Sequence, residues 1–180
     1  SGMHLQVKLP DITCTGDIYE QQCWTDNIGH HLIKEISIEI GGQKIDHHYG
    51  DWLEIWSQLS LPEGVRAGYE TMTGKSPATG AQSLYIPLQF WFCRNPGLAL
   101  PLIALQYHEV KINVEFEEVL SLVRSNGTNL TSVLDGDGGV AEMTSCNLYV
   151  DYVYLDTDER RRFAQVSHEY LIEQLQHTGT

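Results

Sequence analysis

Two pairs of adjacent histidines are the best candidates for metal chemistry in this sequence. His30-His31 and His47-His48 both offer imidazole nitrogens, which are common zinc ligands. Adjacent residues on a strand point to opposite faces, so at most one histidine of each pair can reach a shared site. No cysteine or carboxylate stands at ligand spacing beside them. Solvated or capping histidines at a hairpin are therefore the simpler interpretation, and no metal is predicted.

A second candidate for metal binding is the acidic, glycine-rich segment 135–139. Asp135 and Asp137, each followed by glycine, match half of the pattern of a calcium-binding loop. The twelfth position of such a loop needs a bidentate glutamate, and Cys146 stands there instead. The segment therefore indicates a turn built from aspartate and glycine.

The remaining acidic cluster does not indicate an active site. Asp46, Asp51 and Glu54 are close in sequence, but nothing in the pattern indicates burial or a paired nucleophile. The chain also lacks a nucleophile elbow, a phosphate-binding loop and a dinucleotide fingerprint. The sequence therefore predicts neither an enzyme nor a cofactor.

Three consecutive arginines stand out in this acidic chain. Arg160, Arg161 and Arg162 fall in a segment with helical pattern, close to acidic residues between positions 156 and 159. One interpretation is a solvated helix face with local ion pairs. The other is a contact between subunits, because the arginine guanidinium suits planar, bidentate partners.

The tryptophans allow two interpretations as well. Trp52, Trp56 and Trp91 could form a platform for a sugar, but the helical spacing of the first two favours core packing. Trp91 alternates with two phenylalanines, so it is expected to point to the opposite face of a strand. There it would meet a second sheet, a helix or a neighbouring subunit.

Two adjacent motifs are candidates for modification. Asn126-Gly-Thr128 and Asn129-Leu-Thr131 match the acceptor pattern for N-glycosylation. Such short patterns often arise by chance. Use of Asn126 or Asn129 is therefore a minor expectation.

Composition excludes several classes of partner. The chain of 180 residues has 24 acidic against 11 basic residues and a formal net charge of -13. Phosphate binding and contact with anionic lipid both need a basic surface, so neither nucleic acid nor a charged membrane is an expected partner. No stretch approaches the roughly 20 apolar residues of a membrane span. The length suits one domain with a sizeable core.

The four cysteines show no paired spacing. Cys93 and Cys146 fall in apolar segments, where a free thiol behaves as a small hydrophobe. Unpaired thiols are the expectation, and a Cys14–Cys23 bridge is the alternative.

Hydrophobic periodicity predicts mostly strands. The clearest are 5–9, 35–40, 43–48, 83–92, 110–116 and 147–155, with Gly41-Gly42 as a tight hairpin turn. Long loops are predicted at 63–82 and 118–144. This pattern favours a β-sandwich.

Few helices are predicted. Asp51 can cap a short helix that ends at Pro62, whose Trp52, Ile55, Trp56 and Leu59 would form a buried stripe. A second short helix is expected at 157–165 with Thr157 as its cap. Segment 168–176 fits either a helix or a strand.

Four sequence blocks resemble the major capsid proteins of nucleocytoplasmic large DNA viruses. They are GHHLIKEISIEIGGQKIDHHYGDWLEIW (29–56), GYETMTG (68–74), the segment 84–117 with IPLQFWFCRNPGLALPLIALQYHEV, and DYVYLDTDERRRFAQVSHEYLIEQLQ (151–176). Together these blocks cover more than half of the chain, and they follow one another in the same order as in the family. The third block is the most specific.

This resemblance implies an all-β jelly-roll sandwich with one or two short helices, and it favours a strand at 168–176. Residues 3–176 would form a single, partial N-terminal jelly roll. Family members are longer, with a strand before the counterpart of Met3 and a second jelly roll after that of Gln176. Ser1-Gly2 would be a protease-cleavage remnant. A missing strand would leave an open sheet edge.

The implied function is structural. The chain would be a component of an icosahedral capsid that assembles into trimeric, pseudo-hexagonal capsomers and contacts neighbouring capsomers or minor capsid proteins. It would reside in the virion after synthesis in the host cytoplasm. The alternative is a glycan- or ligand-binding β-sandwich module on a virion or cell surface. That alternative needs aromatic residues in the loops, and of the two long loops only 63–82 offers one, Tyr69.

Overall fold

A computed structural model describes residues 2–12, 22–125 and 141–177 of the chain. The strands in this part of the chain are β1 (Met3–Leu9), β2 (Gln22–Trp24), β3 (Ile33–Ile40), β4 (Gln43–His48), β5 (Gln82–Pro87), β6 (Val110–Phe116), β7 (Val123–Ser125) and β8 (Ser145–Val150). The α-helices are α1 (Ile28–His31), α2 (Gly50–Ser60), α3 (Glu63–Thr73), α4 (Trp91–Arg94) and α5 (Thr157–Gln165).

The strands form antiparallel sheets. One sheet has the order β5-β1-β8, a second has the order β4-β3-β6, and β2 pairs with β7. The fold therefore consists of antiparallel sheets with a few helices, as the sequence predicts at this level. None of the helices in the described ranges is long and apolar enough to cross a membrane.

Both three-stranded sheets contribute to one hydrophobic core. In β1, Leu5, Val7 and Leu9 are buried as their alternation predicts, and Ile36 and Ile38 of β3 are fully buried. The β3–β4 hairpin turns at Gly41 and Gly42, which have φ angles of 61° and 83°. Only glycine adopts this left-handed region without steric cost, so the predicted turn is confirmed.

The buried face of α2 differs from the predicted stripe. Leu53 is fully buried, whereas Ile55 and Leu59 are 52% and 78% exposed. Trp52 and Trp56 are half-buried and lie against each other, with ring centroids 5.6 Å apart. The prediction placed Trp52 and Trp56 on the buried face because both are large and apolar. In the structure α2 packs closely against α1, and this close contact is made by the face that carries the smaller residues Gly50 and Leu53.

Residues 63–73 form a helix where the sequence predicts a loop. Helix α3 begins after Pro62 and ends at Gly74, which has a φ angle of 68°. Two glycines lower its helical propensity, which explains the prediction. Packing against α1 and β5 stabilises it instead, and Thr73 at its end is 1% exposed.

The strand predicted over 83–92 ends early. β5 stops at Pro87, after which the Leu88 N–H donates to the Met3 carbonyl at 2.9 Å. The chain then turns into the single helical turn α4, and the three aromatic residues Phe90, Trp91 and Phe92 are all buried. The alternation of faces predicted for Trp91 is therefore wrong.

Two corrections concern the C-terminal part. β8 ends at Val150 rather than at residue 155, and residues 166–177 form neither helix nor strand, so the strand predicted at 168–176 is wrong. Helix α5 has the predicted bounds, but its cap is Asp156, whose side chain accepts a hydrogen bond from the Glu159 N–H at 2.9 Å. With three helices of nine to eleven residues, the described chain is more helical than predicted.

Candidate assembly surface

The arginine run lies on the outer surface of α5. Arg160, Arg161 and Arg162 are all exposed. Among the described residues, Arg161 pairs with Asp158, one turn earlier, at 3.7 Å, and Arg160 and Arg162 have no ion pair. This is the solvated helix face that the sequence allows, with positive charge still available to a partner.

Trp91 occupies a different environment from the one predicted. Its side chain is 2% exposed and meets the edge of Phe92, with ring centroids 4.9 Å apart. It therefore fills the core and leaves almost no surface for a neighbouring subunit.

The four histidines at positions 30, 31, 47 and 48 lie in separate environments. His30 is buried in α1 and His31 beside it is exposed, while His48 is buried on β4. No group of three or more metal-ligating side chains exists among the described residues. The predicted glycosylation sites Asn126 and Asn129, the aspartates of 135–139 and Cys14 lie outside the described residues.

His30 is the centre of a buried polar network that links α1, α2 and α3. Its Nδ1 lies 2.6 Å from Glu54 Oε2, and its Nε2 lies 2.9 Å from the Tyr69 hydroxyl. Beside this network is a cavity of about 10 Å³, which has room for at most one water molecule. Tyr69, the aromatic residue of the predicted loop, thus faces into the protein and not towards a glycan.

The electrostatics of this network fix its protonation. Burial lowers the pKa of His30 and outweighs the effect of Glu54. Burial also opposes ionisation of Glu54, but hydrogen bonds from Gln58 and His30 prevail and lower its pKa. Burial and the nearby Glu54 charge raise the pKa of Tyr69 to about 12. At neutral pH, therefore, Tyr69 O–H donates to His30 Nε2, and His30 Nδ1–H donates to the Glu54 carboxylate.

A second buried pair connects β4 to the end of the described chain. Asp46 Oδ2 lies 3.2 Å from His48 Nε2, and both side chains are almost fully buried. Asp46 Oδ1 accepts hydrogen bonds from the backbone N–H groups of His47 and Leu175. The Gln174 side chain donates to the Ile45 carbonyl, so residues 174 and 175 are held against β4.

The acidic cluster of the sequence is thus divided. Asp46 on β4 binds the Leu175 amide, Glu54 is hydrogen-bonded to His30, and Asp51 is exposed. The sequence did not reveal either network, because His30 and Glu54 are 24 positions apart, and Asp46 and Leu175 are 129 positions apart. The only signal was the presence of ionisable residues beside strongly apolar segments.

The described part of the chain also has an apolar groove of about 600 Å³. Its walls include Ile112 of β6, Leu148 and Val150 of β8, and Phe163 of α5. Gly2 and Met3 line it at the beginning of β1. Tyr152 and Val153 also line the groove and are 61% and 67% exposed, so the groove is open to solvent on this side.

The cysteines of the described chain are free thiols. Cys23, Cys93 and Cys146 form no disulfide, and burial raises the pKa of Cys93 to about 11. Such a thiol is unreactive at neutral pH.

Comparison with solved structures relates this fold to viral capsid proteins. The structure of PBCV-1 VP54, fitted into a reconstruction of the virophage Sputnik, matches with a TM-score of 0.75 and 36% identity over 98% of this chain and 40% of that chain. A quasi-atomic model of the PBCV-1 capsid matches with a TM-score of 0.74 and 35% identity, with the same coverage.

The family model described as major capsid protein N-terminus matches residues 1–156. The chain therefore belongs to this family, and the resemblance seen in the sequence is confirmed.

Curated relatives agree with this assignment. The major capsid protein of Pyramimonas orientalis virus is 53% identical, with 90% of this chain and 42% of the relative aligned. The major capsid protein of Phaeocystis pouchetii virus is 43% identical, with 98% and 40% aligned. Capsid protein 1 of Acanthamoeba polyphaga mimivirus is 44% identical, with 97% and 32% aligned. The chain thus spans less than half the length of these relatives.

Proposed function

We propose that this chain is a structural part of the icosahedral capsid of a large DNA virus, located in the virion after synthesis in the host cytoplasm. Residues 3–176 correspond to the N-terminal jelly roll of a longer capsid protein. In that protein, three subunits associate into a pseudo-hexagonal capsomer that contacts neighbouring capsomers or minor capsid proteins. The role is structural and not catalytic.

The observation that carries this proposal is the agreement of fold and sequence over nearly the whole chain. Antiparallel sheets alone are shared by many unrelated proteins, so fold by itself says little about function. Here the TM-score of 0.75 accompanies 36% identity to a capsid protein structure over 98% of the chain. The net charge of -13 further supports a shell protein that makes no direct contact with nucleic acid.

Assembly of the full-length protein tests the proposal. Light scattering after size exclusion gives the mass, and negative-stain imaging gives the outline of the particle. We expect a mass of three subunits and a pseudo-hexagonal outline. A full-length protein that stays monomeric at all concentrations and shows no such particle would contradict the proposed capsomer.

The arginine run can be tested in the same protein. The double variant Arg160→Glu with Arg162→Glu reverses the two charges that have no ion pair among the described residues. If α5 contacts another subunit, this variant weakens the trimer by at least tenfold in dissociation constant, about 1.4 kcal/mol. The matched control is Lys34→Glu with Lys111→Glu, because these lysines are 53% and 52% exposed on strands. Equal trimer affinity in both double variants would place the subunit contact elsewhere.

A further inference from the structure

Helix α3 is attached to the protein mainly through polar contacts. Within the described chain, Thr73 is its only buried residue. Arg66 and Tyr69 contact α2 and α1 but are only half-buried, and Val65 and Met72 are 53% and 39% exposed. Elements with few buried apolar contacts open locally at a lower free energy than the core. Helix α3 can therefore open while both three-stranded sheets stay folded.

The helical state of α3 depends on these contacts. It has eleven residues, and isolated helices shorter than about 12–15 residues are marginal in water. Gly64 and Gly68 lower its helical propensity further. Loss of the contacts with α1 and α2 should therefore unfold α3 and not merely move it.

Two side-chain contacts hold the middle of α3. The Tyr69 hydroxyl lies 2.9 Å from His30 Nε2 of α1. Arg66 donates to Gln58 Oε1 of α2 at 3.1 Å. His30 is 2% exposed, whereas Gln58 is exposed. Water replaces a lost partner at an exposed contact but not at a buried one, so α3 depends more on the contact between His30 and Tyr69.

The hydrogen bond between His30 and Tyr69 requires a neutral imidazole. His30 Nδ1–H donates to the Glu54 carboxylate, which leaves the Nε2 lone pair to accept the Tyr69 O–H. A proton on Nε2 removes this acceptor, and the Tyr69 hydroxyl has no other hydrogen-bond partner among the described residues. The charged ring would also stay at a buried position without its hydration, which costs free energy. Protonation therefore weakens the attachment of α3 to α1.

The charged groups around His30 do not compensate for its burial. Burial lowers the pKa of His30, with a further contribution from His31 of α1, and Glu54 of α2 acts in the opposite direction without prevailing. The strands β3 and β5 also pack against α1, but no charged group of theirs acts on this pKa. Neutral His30 is therefore the form that fits the attached helix.

Other charges of the site lie in pairs. Lys75, Glu70 and Arg66 line the small cavity beside His30. Lys75 pairs with Glu70 at 2.6 Å, and Arg66 pairs with Glu63 at 3.2 Å. Because each pair joins opposite charges, their fields largely cancel at His30.

We propose that His30 is a pH-dependent switch for α3: protonation of His30 releases Tyr69, and α3 unfolds locally while the two three-stranded sheets stay folded. Release exposes the imidazole, which then binds the proton with its ordinary pKa of 6.5. Attachment of α3 is therefore complete above pH 6.5 and weakens as the pH falls through 6.5 towards the lower pKa of His30 in the attached state. A shell protein built in this way presents different surfaces at neutral pH and in mild acid, which a structural role alone does not require.

The second buried histidine acts elsewhere. His48 lies on β4, pairs with Asp46 at 3.2 Å and stacks on Phe90 with ring centroids 4.6 Å apart. Phe90 belongs to the hydrophobic core. A response of His48 to pH would therefore appear in β4 and not in α3, so the location of the response distinguishes the two histidines.

Amide hydrogen exchange of the protein at pH 7.5 and pH 5.5 tests the switch. Exchange is expressed as protection factors, because the intrinsic exchange rate itself changes with pH. The amides of residues 67–73 should lose protection several-fold, with an upper limit of about tenfold, because one proton shifts the equilibrium at most tenfold per pH unit below 6.5. The amides of Ile36 and Ile38 in β3 should keep their protection, which shows that the sheets stay folded.

Variants separate the switch from a purely structural role of the same residues. His30→Gln removes the titrating group, so protection of α3 should no longer differ between the two pH values. His31→Gln changes an exposed neighbour and should keep the difference. Tyr69→Phe deletes only the hydroxyl and should lower the protection of α3 already at pH 7.5. Tyr85→Phe is the matched control, because the Tyr85 hydroxyl bonds to Gln6 on a sheet and its loss should leave α3 unchanged.

Three results would overturn the proposal. One is unchanged protection of α3 at pH 5.5, which would show that acid does not release the helix. Another is an equal loss of protection in α3 and β3, which would indicate global unfolding. The third is the same pH dependence in the His30→Gln and His31→Gln variants, which would place the titrating group elsewhere.

Discussion

The carboxylate of Asp46 accepts the backbone N–H of Leu175 at 3.1 Å, across a sequence separation of 129 residues. The same carboxylate contacts the imidazole of His48, so one buried side chain joins β4 to the last described segment. Hydrogen bonds to a charged acceptor are roughly twice as strong as neutral ones. Asp46 therefore holds the backbone at Leu175 against β4.

Removing this carboxylate should release the C-terminal segment. We expect Asp46→Ala to speed amide exchange over residues 171–177 and to lower the free energy of unfolding by about 1.5–3 kcal/mol. Asp46→Asn keeps an oxygen acceptor and should restore most of the protection. Exposed Asp51, changed to Ala, is the control. Unchanged exchange at Leu175 in the Asp46→Ala variant would show that the segment is held by other contacts.

The His30 network should make the fold sensitive to acid. The pKa of His30 is below 6.5 in the folded chain, so the unfolded chain binds the proton first as the pH falls. Stability from neutral His30 is complete above pH 6.5 and declines as the pH falls towards the folded pKa. The lowered pKa of Glu54 adds a further loss below pH 4.5. The urea concentration at the midpoint of unfolding should therefore be lower at pH 5.5 than at pH 7.5.

Two variants separate this effect from the other histidines. His30→Gln should reduce the dependence of the urea midpoint on pH between 7.5 and 5.5, and it should cost about 1–3 kcal/mol at pH 7.5 because buried partners lose hydrogen bonds. His31→Gln changes an exposed neighbour on the same helix and should leave both quantities unchanged. The prediction fails if the two variants have the same pH dependence.

Two leucines of α2 test which face of the helix is buried. Leu53 is fully buried and Leu59 is 78% exposed, although both lie on the same helix. Leu53→Ala should lower the free energy of unfolding by about 2–5 kcal/mol, and Leu59→Ala by less than about 0.5 kcal/mol. Chemical denaturation at pH 7.5 measures both. The opposite order would support the stripe predicted from sequence.

Two glycines in helices should respond to alanine in opposite directions. A Cβ at Gly50 would lie 2.2 Å from the His30 carbonyl oxygen, so Gly50→Ala forces α1 and α2 apart and should destabilise the fold by at least about 2 kcal/mol. Gly68 in α3 has no neighbour within 4 Å of its Cβ position. Gly68→Ala should stabilise the protein by about 0.5–1 kcal/mol through helix propensity. Thermal and urea unfolding check both values.

The sequence was most reliable where local chemistry decides the structure. Alternating apolar residues identified β1 and β6, and Gly41-Gly42 identified the hairpin, because side chains alternate across a strand and few residues adopt positive φ angles. It was wrong for α3, where tertiary packing overrides the low propensity of two glycines. The predicted orientation of Trp91 was also wrong, because the prediction extended strand β5 beyond Pro87, whereas Trp91 lies in the helical turn α4.

By itself, the sequence determined the family, the antiparallel sheets and the net charge of -13, since these depend on sequence motifs, local periodicity and composition. Tertiary structure alone decided that His30 meets Glu54 and Tyr69, that Asp46 holds Leu175, and that residues of β6 and β8 line one groove. The reason is physical. Those relationships join residues far apart in the chain, and only the packing of sheets and helices brings them within hydrogen-bond or van der Waals distance.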